Sequence, residues 1–152
     1  KIIMLISIPI CFLLLVGCNK TEDQYTWLDK YNELEPLPSG YTVWIEVEDS
    51  NLEEGVNQIS VNWHNETNKD LTFGTDFTIV KEVNGEWHEL KYARDELAFN
   101  SLGIILKKNE TVVEKYDLSI FDDKLKKGHY KFVSSISIDH VEYSMETDFV
   151  IE

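Results

Sequence analysis

From Tyr41 to the end, the chain alternates apolar and polar residues with a period of two. The pattern begins with apolar residues at Tyr41, Val43, Ile45 and Val47. Trp44 and Glu46 alternate with them and would face the other side of a strand. Because successive side chains of a β-strand point to opposite faces of a sheet, the pattern predicts strands with one face in a core. It predicts seven or eight of them, near 41–48, 59–64, 71–83, 86–92, 104–106, 111–118, 130–138 and 143–151.

Turn signals separate these strands. Asn84-Gly85 is the strongest short hairpin signal, since both residues tolerate a positive φ, and a second turn is expected at Asp139-His140. Strands with turns about every 8–12 residues indicate an antiparallel sandwich, and the lack of helix–strand alternation argues against a parallel sheet. We therefore predict an all-β, immunoglobulin-like sandwich over residues 41–152.

The strongly apolar segment, residues 2–16, follows Lys1 and carries no charge. As a helix it would reach roughly 22 Å, which is short for a hydrocarbon core of about 30 Å. A basic start, an apolar middle and small residues before a polar chain are typical of a secretory signal peptide. The sequence begins without Met, so we expect further residues before Lys1.

The end of this segment, Leu15-Val16-Gly17-Cys18, resembles the lipobox of bacterial lipoproteins. The resemblance implies cleavage between Gly17 and Cys18 and a diacylglyceryl group on Cys18, which would anchor the protein to the outer face of a membrane. Residues 1–17 would then be the signal peptide, and Cys11 would be removed with them. The alternative is a plain signal peptide or membrane anchor in which Cys18 is incidental.

Residues 18–40 are polar and acidic and end in a Pro-x-Pro-Ser-Gly cluster, which favours a flexible tether. Trp27, Leu28, Tyr31 and Leu34 lie at helical spacing, so a short helix is the alternative there. A second helical turn is expected around 94–98.

Residues 41–152 resemble the bacterial immunoglobulin-like domains of secreted proteins and lipoproteins of Gram-positive bacteria. The resemblance rests on turn and packing residues, namely Asn65, Gly74, Asn84, Gly85, Trp87, Leu125, Gly128 and Tyr130. A Tyr at the corner before a core strand can bury its ring and return its hydroxyl to upstream backbone. The chain departs from the family at Lys108-Asn109, where Pro-Gly is usual. The resemblance supplies no catalytic residue.

The net charge of −14 argues against nucleic acid as a partner, since phosphate contacts need Lys and Arg clusters. The chain has no Gly-x-Ser-x-Gly elbow, and with Cys11 removed and Cys18 lipidated no free Cys nucleophile would remain. We interpret the acidic group at 46–54 as a charged edge or loop, with a calcium site as the alternative. The histidines, none of them at metal-ligand spacing, are interpreted as surface residues; they are His64, His88, His129 and His140.

Trp44 and Trp87 are the aromatic residues of interest, because two exposed tryptophans on one face could form a sugar or protein contact site. Packing is the alternative for both. The two Asn-Glu-Thr sequons, at Asn65 and Asn109, are interpreted as coincidence.

These observations predict a lipid-anchored protein of the cell envelope, on the outer face of a Gram-positive membrane, with a non-catalytic domain for binding or scaffolding. No cofactor and no metal site is expected, and the partner, protein or glycan, is left open. One alternative is an accessory or inhibitor subunit that adds a strand to a sheet edge of an envelope enzyme or complex. The other is an enzyme that uses a pair of carboxylates.

Overall fold

The structure is a computed structural model that describes residues 27–31, 35–94 and 103–152. Gly17 and Cys18 of the lipobox, and most of the helical turn predicted near 94–98, lie outside the described residues. Within those residues, no helix is long and apolar enough to cross a membrane.

The described chain is built from β-strands and one short 3-10 turn. The strands are β1 (Trp27–Lys30), β2 (Val43–Val47), β3 (Asn51–Leu52), β4 (Gln58–Asn65), β5 (Leu71–Val83), β6 (Glu86–Leu90), β7 (Ile104–Leu106), β8 (Glu110–Asp117), β9 (Gly128–Ile138) and β10 (Val141–Ile151). The 3-10 turn, Leu118–Ile120, follows β8. Every strand predicted from the alternation is present, and β1 and β3 are additional.

The strands form two sheets. The larger sheet has the order β1-β6-β5-β9-β10-β3, with β7 paired to the beginning of β5, and the smaller has the order β2-β4-β8. All pairs are antiparallel except β3 with β10, where Val150 and Asn51 are register partners in a parallel bridge. The predicted all-β sandwich is therefore confirmed, with this one departure from antiparallel pairing.

Alternate residues of both sheets meet in one apolar core, as the period of two requires. Trp63 of the small sheet stacks on Phe73 of the large sheet, with 3.9 Å between ring centroids and 11° between planes. The indole Nε1–H of the fully buried Trp63 donates to the hydroxyl of Tyr116 over 3.1 Å. This bond satisfies a polar group that would otherwise cost about 1–3 kcal/mol to bury. Burial in the same core raises the pKa of Tyr116.

Strand β1 corrects the prediction of a tether or short helix at residues 27–30. It pairs antiparallel with β6, and Lys30 lies opposite His88. The helical spacing of four apolar residues is too short a pattern to separate a helix from a strand. Pairing with β6, some 60 positions later in the chain, decides the conformation instead.

Two residues that follow β1 bond to the large sheet through their backbones. The amide of Tyr31 donates to the carbonyl of Trp87 over 2.9 Å, and the amide of Ser144 donates to the carbonyl of Glu35 over 3.3 Å. Val80 and Val133 lie on the outer face of this sheet and are nevertheless buried. Tyr31 and Glu35 are therefore both attached to the large sheet.

Candidate binding surface

The outer face of the small sheet carries an aromatic platform. Trp44 in β2 and His64 in β4 are register partners, so their side chains stand beside each other. Their rings are parallel within 9° and their centroids are 4.6 Å apart. Trp44 is 38% exposed, which makes it one of the few large apolar side chains that the fold leaves open to solvent.

His64 is held in place at both ring nitrogens. Its Nδ1 lies 3.0 Å from the hydroxyl of Thr111 in β8, and its Nε2 lies 3.1 Å from Oε1 of Glu46 in β2. With one ring nitrogen bonded to each neighbouring strand, the imidazole has little freedom to rotate. The indole stacked on it is therefore a fixed surface, which lowers the entropy that a ligand must offset on binding.

A polar cleft of about 450 Å³ opens beside this platform. We call it the Trp44 cleft; it is lined by Trp44, His64, Asn65, Glu66, Asn109, Glu110 and Thr111. Carboxylate, hydroxyl and amide groups surround one side of the indole there. This composition suits a ligand with many hydrogen-bonding groups and a partly apolar surface.

Asn65 forms the floor of the Trp44 cleft and has no capacity left for a ligand. Its Nδ2 donates to the carbonyls of Lys69, Leu106 and Lys107 at 2.9–3.1 Å. Its Oδ1 accepts from the amide and the hydroxyl of Thr67 at 2.9 and 2.6 Å. The side chain is 1% exposed, so Asn65 joins the turn after β4 to the end of β7 from inside the fold.

The turn at Lys108-Asn109 forms the opposite wall. Asn109 has a φ of 56°, the left-handed conformation that Gly would adopt in the usual Pro-Gly pair, so the turn is kept with a different residue. The amide of Lys108 donates to Oδ1 of Asp70 over 2.9 Å, and the amide of Lys107 donates to Oε2 of Glu110 over 3.0 Å. These bonds fix the wall relative to the floor.

Trp44 also borders a second, more apolar groove of about 330 Å³ between β2 and β10. We call it the β2–β10 groove; its lining is Pro36, Leu37, Val43, Trp44, Ile45, Ser144, Met145 and Glu146. Because His64 covers one face of the indole and β2 is an edge strand, the other face is directed over this free edge. Trp44 is thus shared by two neighbouring hollows.

Trp87 does not join Trp44 on one face, so the predicted two-tryptophan surface is not formed. It lies on the outer face of the large sheet, half-buried. The ammonium of Lys131 lies 4.7 Å from its ring centroid, and the ring of His129 meets it edge-on at 5.1 Å. The packing interpretation holds for Trp87, and the exposed interpretation holds for Trp44.

Two of the histidines interpreted as surface residues have side-chain partners on the outer faces of the sheets. His64 stacks on Trp44, and His129 lies between Glu82 and Asp148, at 2.9 and 3.5 Å. In the part of the chain that the structure describes, no three His, Cys, Asp or Glu side chains lie close enough together to hold a metal ion. The carboxylates near 46–54 bond to separate protein groups: Oε1 of Glu54, for example, accepts a hydrogen bond from the amide of Lys127 over 2.7 Å.

The remaining predicted motif residues lie at turns and in the core, away from the Trp44 cleft. Asn84 and Gly85 have φ of 54° and 83° in the β5–β6 hairpin, and Gly74 lies where the β5–β9 register shifts. Leu125 is buried. Gly128 begins β9, and a Cβ there would lie 2.7 Å from Cε of Lys81. These positions shape the fold and do not form a site.

Tyr130 occupies the corner at the start of β9. Its ring is fully buried and its hydroxyl donates to the carbonyl of Lys126 over 2.5 Å. This is the arrangement expected of a tyrosine at a sandwich corner.

The profile of the bacterial Ig-like domain matches residues 39–150. The chain belongs to this family.

Bacterial Ig-like domains are typically non-catalytic, and membership therefore favours binding or structural roles over chemistry. A comparison with curated proteins finds no match to this chain.

Proposed function

We propose that this protein is a lipid-anchored component of the bacterial cell envelope, and that its Ig-like domain binds a partner on the outer side of the membrane. The observation that carries the binding role is Trp44, a rigidly held and 38% exposed indole beside a polar cleft. Large aromatic side chains fixed at a surface are typical anchors of recognition sites.

The sequence at Leu15-Val16-Gly17-Cys18 supports the anchor. A single acyl chain gives only marginal membrane binding, whereas two chains on one glyceryl group give stable attachment, at about 0.8 kcal/mol per buried methylene. Only eight residues separate Cys18 from the start of β1, so the domain would stay close to the bilayer.

Metabolic labelling with a fatty acid and membrane fractionation test the anchor. We expect the whole protein to incorporate the label and to sediment with membranes, and Cys18→Ala to do neither. Cys11→Ala is the matched control, because Cys11 would be lost with the signal peptide. Labelled, membrane-bound Cys18→Ala would contradict the lipid anchor.

A second binding mode is favoured by the free edge of β2. The amide of Glu48 donates to the carbonyl of Ser60 in β4, and the carbonyl of Thr42 accepts from the amide of Glu66, just after β4. Since backbone groups alternate in direction along an antiparallel strand, those of Val43, Ile45 and Val47 are directed away from β4. No described residue makes a backbone hydrogen bond to Val43 or Ile45 on that side. An accessory or inhibitor role would use this edge to add a strand of the partner.

Hydrogen exchange separates the two modes. A partner that adds a strand should protect the amides of Val43, Ile45 and Val47, whereas a ligand of the Trp44 cleft should leave their exchange rates unchanged. The amides of Trp44 and Glu46, which face β4, serve as internal controls in both cases.

A further inference from the structure

We infer that the Trp44 cleft is a saccharide site and that it takes sugars without negative charge, neutral sugars or amino sugars. This inference deepens the proposed binding function by naming the ligand class, and it rests on that function. It is carried by three features: the indole platform, the hydrogen-bonding groups around it, and the sign of their charge.

The platform offers what a pyranose ring needs for stacking. One face of the indole rests on His64 and the other is directed over the edge of β2, next to Pro36 and Leu37. The negative face of an aromatic ring attracts the partly positive C–H groups of a sugar. Because His64 is bonded to Thr111 and Glu46, the indole is positioned before the ligand arrives.

The hydrogen-bonding groups line the Trp44 cleft, which adjoins the β2–β10 groove at Trp44. Glu66, Glu110 and Thr111 are among them, and their oxygens can accept from sugar hydroxyls. One oxygen of Glu110 accepts from the amide of Lys107, which orients the carboxylate and leaves the second oxygen for a ligand.

The charge of the lining selects among sugars. Glu66 and Glu110 lie in the cleft and Glu46 lies beside it, while neither Lys nor Arg is among the lining residues. At a partly exposed site a carboxylate about 4 Å from another anion costs on the order of 1–4 kcal/mol. Uronic acids and phosphate-bearing sugars should therefore be rejected.

The size of the hollows indicates more than one sugar ring. The Trp44 cleft measures about 450 Å³, the β2–β10 groove about 330 Å³, and Trp44 lines both. A ring stacked on the open face of the indole would lie at the groove, and the next ring would reach the polar cleft. We therefore expect an oligosaccharide to bind more tightly than its monosaccharide.

The test is calorimetric titration of the whole chain, kept in a detergent whose headgroup contains no sugar. The probes are the hexamers of N-acetylglucosamine and of glucose, with hexagalacturonate as the anionic comparison. We expect at least one neutral hexamer to saturate the protein with a Kd below about 1 mM, and hexagalacturonate not to bind.

Two tryptophan variants decide whether the site is the one named here. Trp44→Ala should weaken binding of the neutral hexamer by at least about tenfold, because one stacking contact of roughly 1.5 kcal/mol is lost. Trp87→Ala is the matched control and should bind as the unmodified protein does. Far-UV circular dichroism establishes that both variants fold, and Trp44→Phe should restore part of the affinity.

Two results would overturn the inference: no heat with either neutral hexamer up to about 10 mM, or equal affinity of Trp44→Ala and the unmodified protein. Double substitution Glu66→Gln with Glu110→Gln should admit hexagalacturonate, and failure to do so would contradict the charge argument. The Cys18-dependent fractionation is independent of these titrations, so the anchor can stand while the saccharide site falls.

Discussion

At the scale of single residues, Asn65 has the largest structural role in the site. The two N–H groups of its side-chain amide are shared among three carbonyls, and its oxygen accepts two further hydrogen bonds from Thr67. Its removal would leave several buried polar groups without partners, and each costs about 1–3 kcal/mol when unsatisfied. The shape of the Trp44 cleft thus depends on a residue that no ligand needs to touch.

Asn65→Ala should lower the free energy of unfolding by about 2–4 kcal/mol. The measurement is urea denaturation followed by circular dichroism. Asn62→Ala is the control on the same strand: Asn62 faces outward between Glu46 and Val113, and its loss should cost within about 0.5 kcal/mol. Similar losses for the two variants would show that the Asn65 bonds have little energetic weight.

The sequence identified several of these residues but not their roles. The position of Asn65 after a strand predicts a turn residue, yet its Nδ2 donates to the carbonyls of Lys69, Leu106 and Lys107. Those carbonyls meet only when β4 and β7 are brought together. Likewise, the alternation places Trp44 and His64 outward, but their stacking depends on the register of β2 and β4, which local pattern does not specify.

At the scale of elements, the two hairpins offer a direct comparison. Both turns place two consecutive residues at positive φ: Asn84 and Gly85 at 54° and 83°, and Asp139 and His140 at 50° and 69°. Two-residue hairpins prefer Asn-Gly or Asp-Gly because glycine adopts this conformation without steric cost. The β9–β10 hairpin therefore contains strain at His140 that the β5–β6 hairpin lacks at Gly85.

His140→Gly should accordingly stabilise the protein by about 0.5–1 kcal/mol, since relief of the left-handed strain exceeds the added entropy of the unfolded chain. Gly85→His, the reciprocal change, should destabilise it. Thermal unfolding of the two variants provides the measurement, and a fall in the melting temperature of His140→Gly would refute the argument.

Attachment of β1 should depend on pH. Nζ of Lys30 donates to Oε1 of Glu86 over 2.6 Å, and this bond lowers the pKa of Glu86 below its ordinary 4.5. A carboxylate with a depressed pKa stabilises the folded state above its unfolded pKa, and that contribution is lost as pH falls through the folded pKa. We therefore expect β1 to loosen below about pH 4.5, where Glu86 becomes protonated.

The readout is the NMR signal of the Lys30 amide, titrated from neutral pH downward. Lys30→Gln supplies the control, because without the ammonium the transition should weaken and move toward the ordinary glutamate range. If the backbone amide at position 30 shifts identically in both proteins, the pH dependence arises elsewhere.

The alternation of apolar and polar residues is sufficient to locate strands that have one face in the core. The period of two located every strand of the sandwich from β2 onward except β3, because each of these strands has one face in the core. The missed strands are short: β3 is a two-residue parallel bridge to β10, and β1 has four residues and pairs only with β6, at the edge of the large sheet. Their conformation is decided by partners distant in sequence.

At the scale of the whole molecule, the strand order has a directional consequence. Strand β1 lies at one edge of the large sheet, and β10, next to β2 of the small sheet, lies four strand spacings away, roughly 19 Å. The nine residue steps from Cys18 to Trp27 can span at most about 30 Å. If Cys18 carries the proposed lipid, the attachment point lies next to β1, and we expect the β1 edge to lie closer to the bilayer on average than the Trp44 cleft.

This orientation can be measured with the lipidated protein in nanodiscs that contain a gadolinium-chelating lipid. The paramagnetic headgroups should broaden the amide signals of β1 and β6 more than those of β2 and β4. Nanodiscs without gadolinium are the reference. Stronger broadening in β2 than in β6 would mean that the cleft faces the membrane.

The two Asn-Glu-Thr sequons end up in opposite environments, and this matters for how the protein is produced. The amide of Asn65 is buried and fully bonded, so an oligosaccharyltransferase could not modify it in the folded protein. Asn109 is exposed in the turn that walls the Trp44 cleft. Secretion from a eukaryotic host would therefore place a glycan on Asn109, at the mouth of the Trp44 cleft, and this glycan would block access to the cleft.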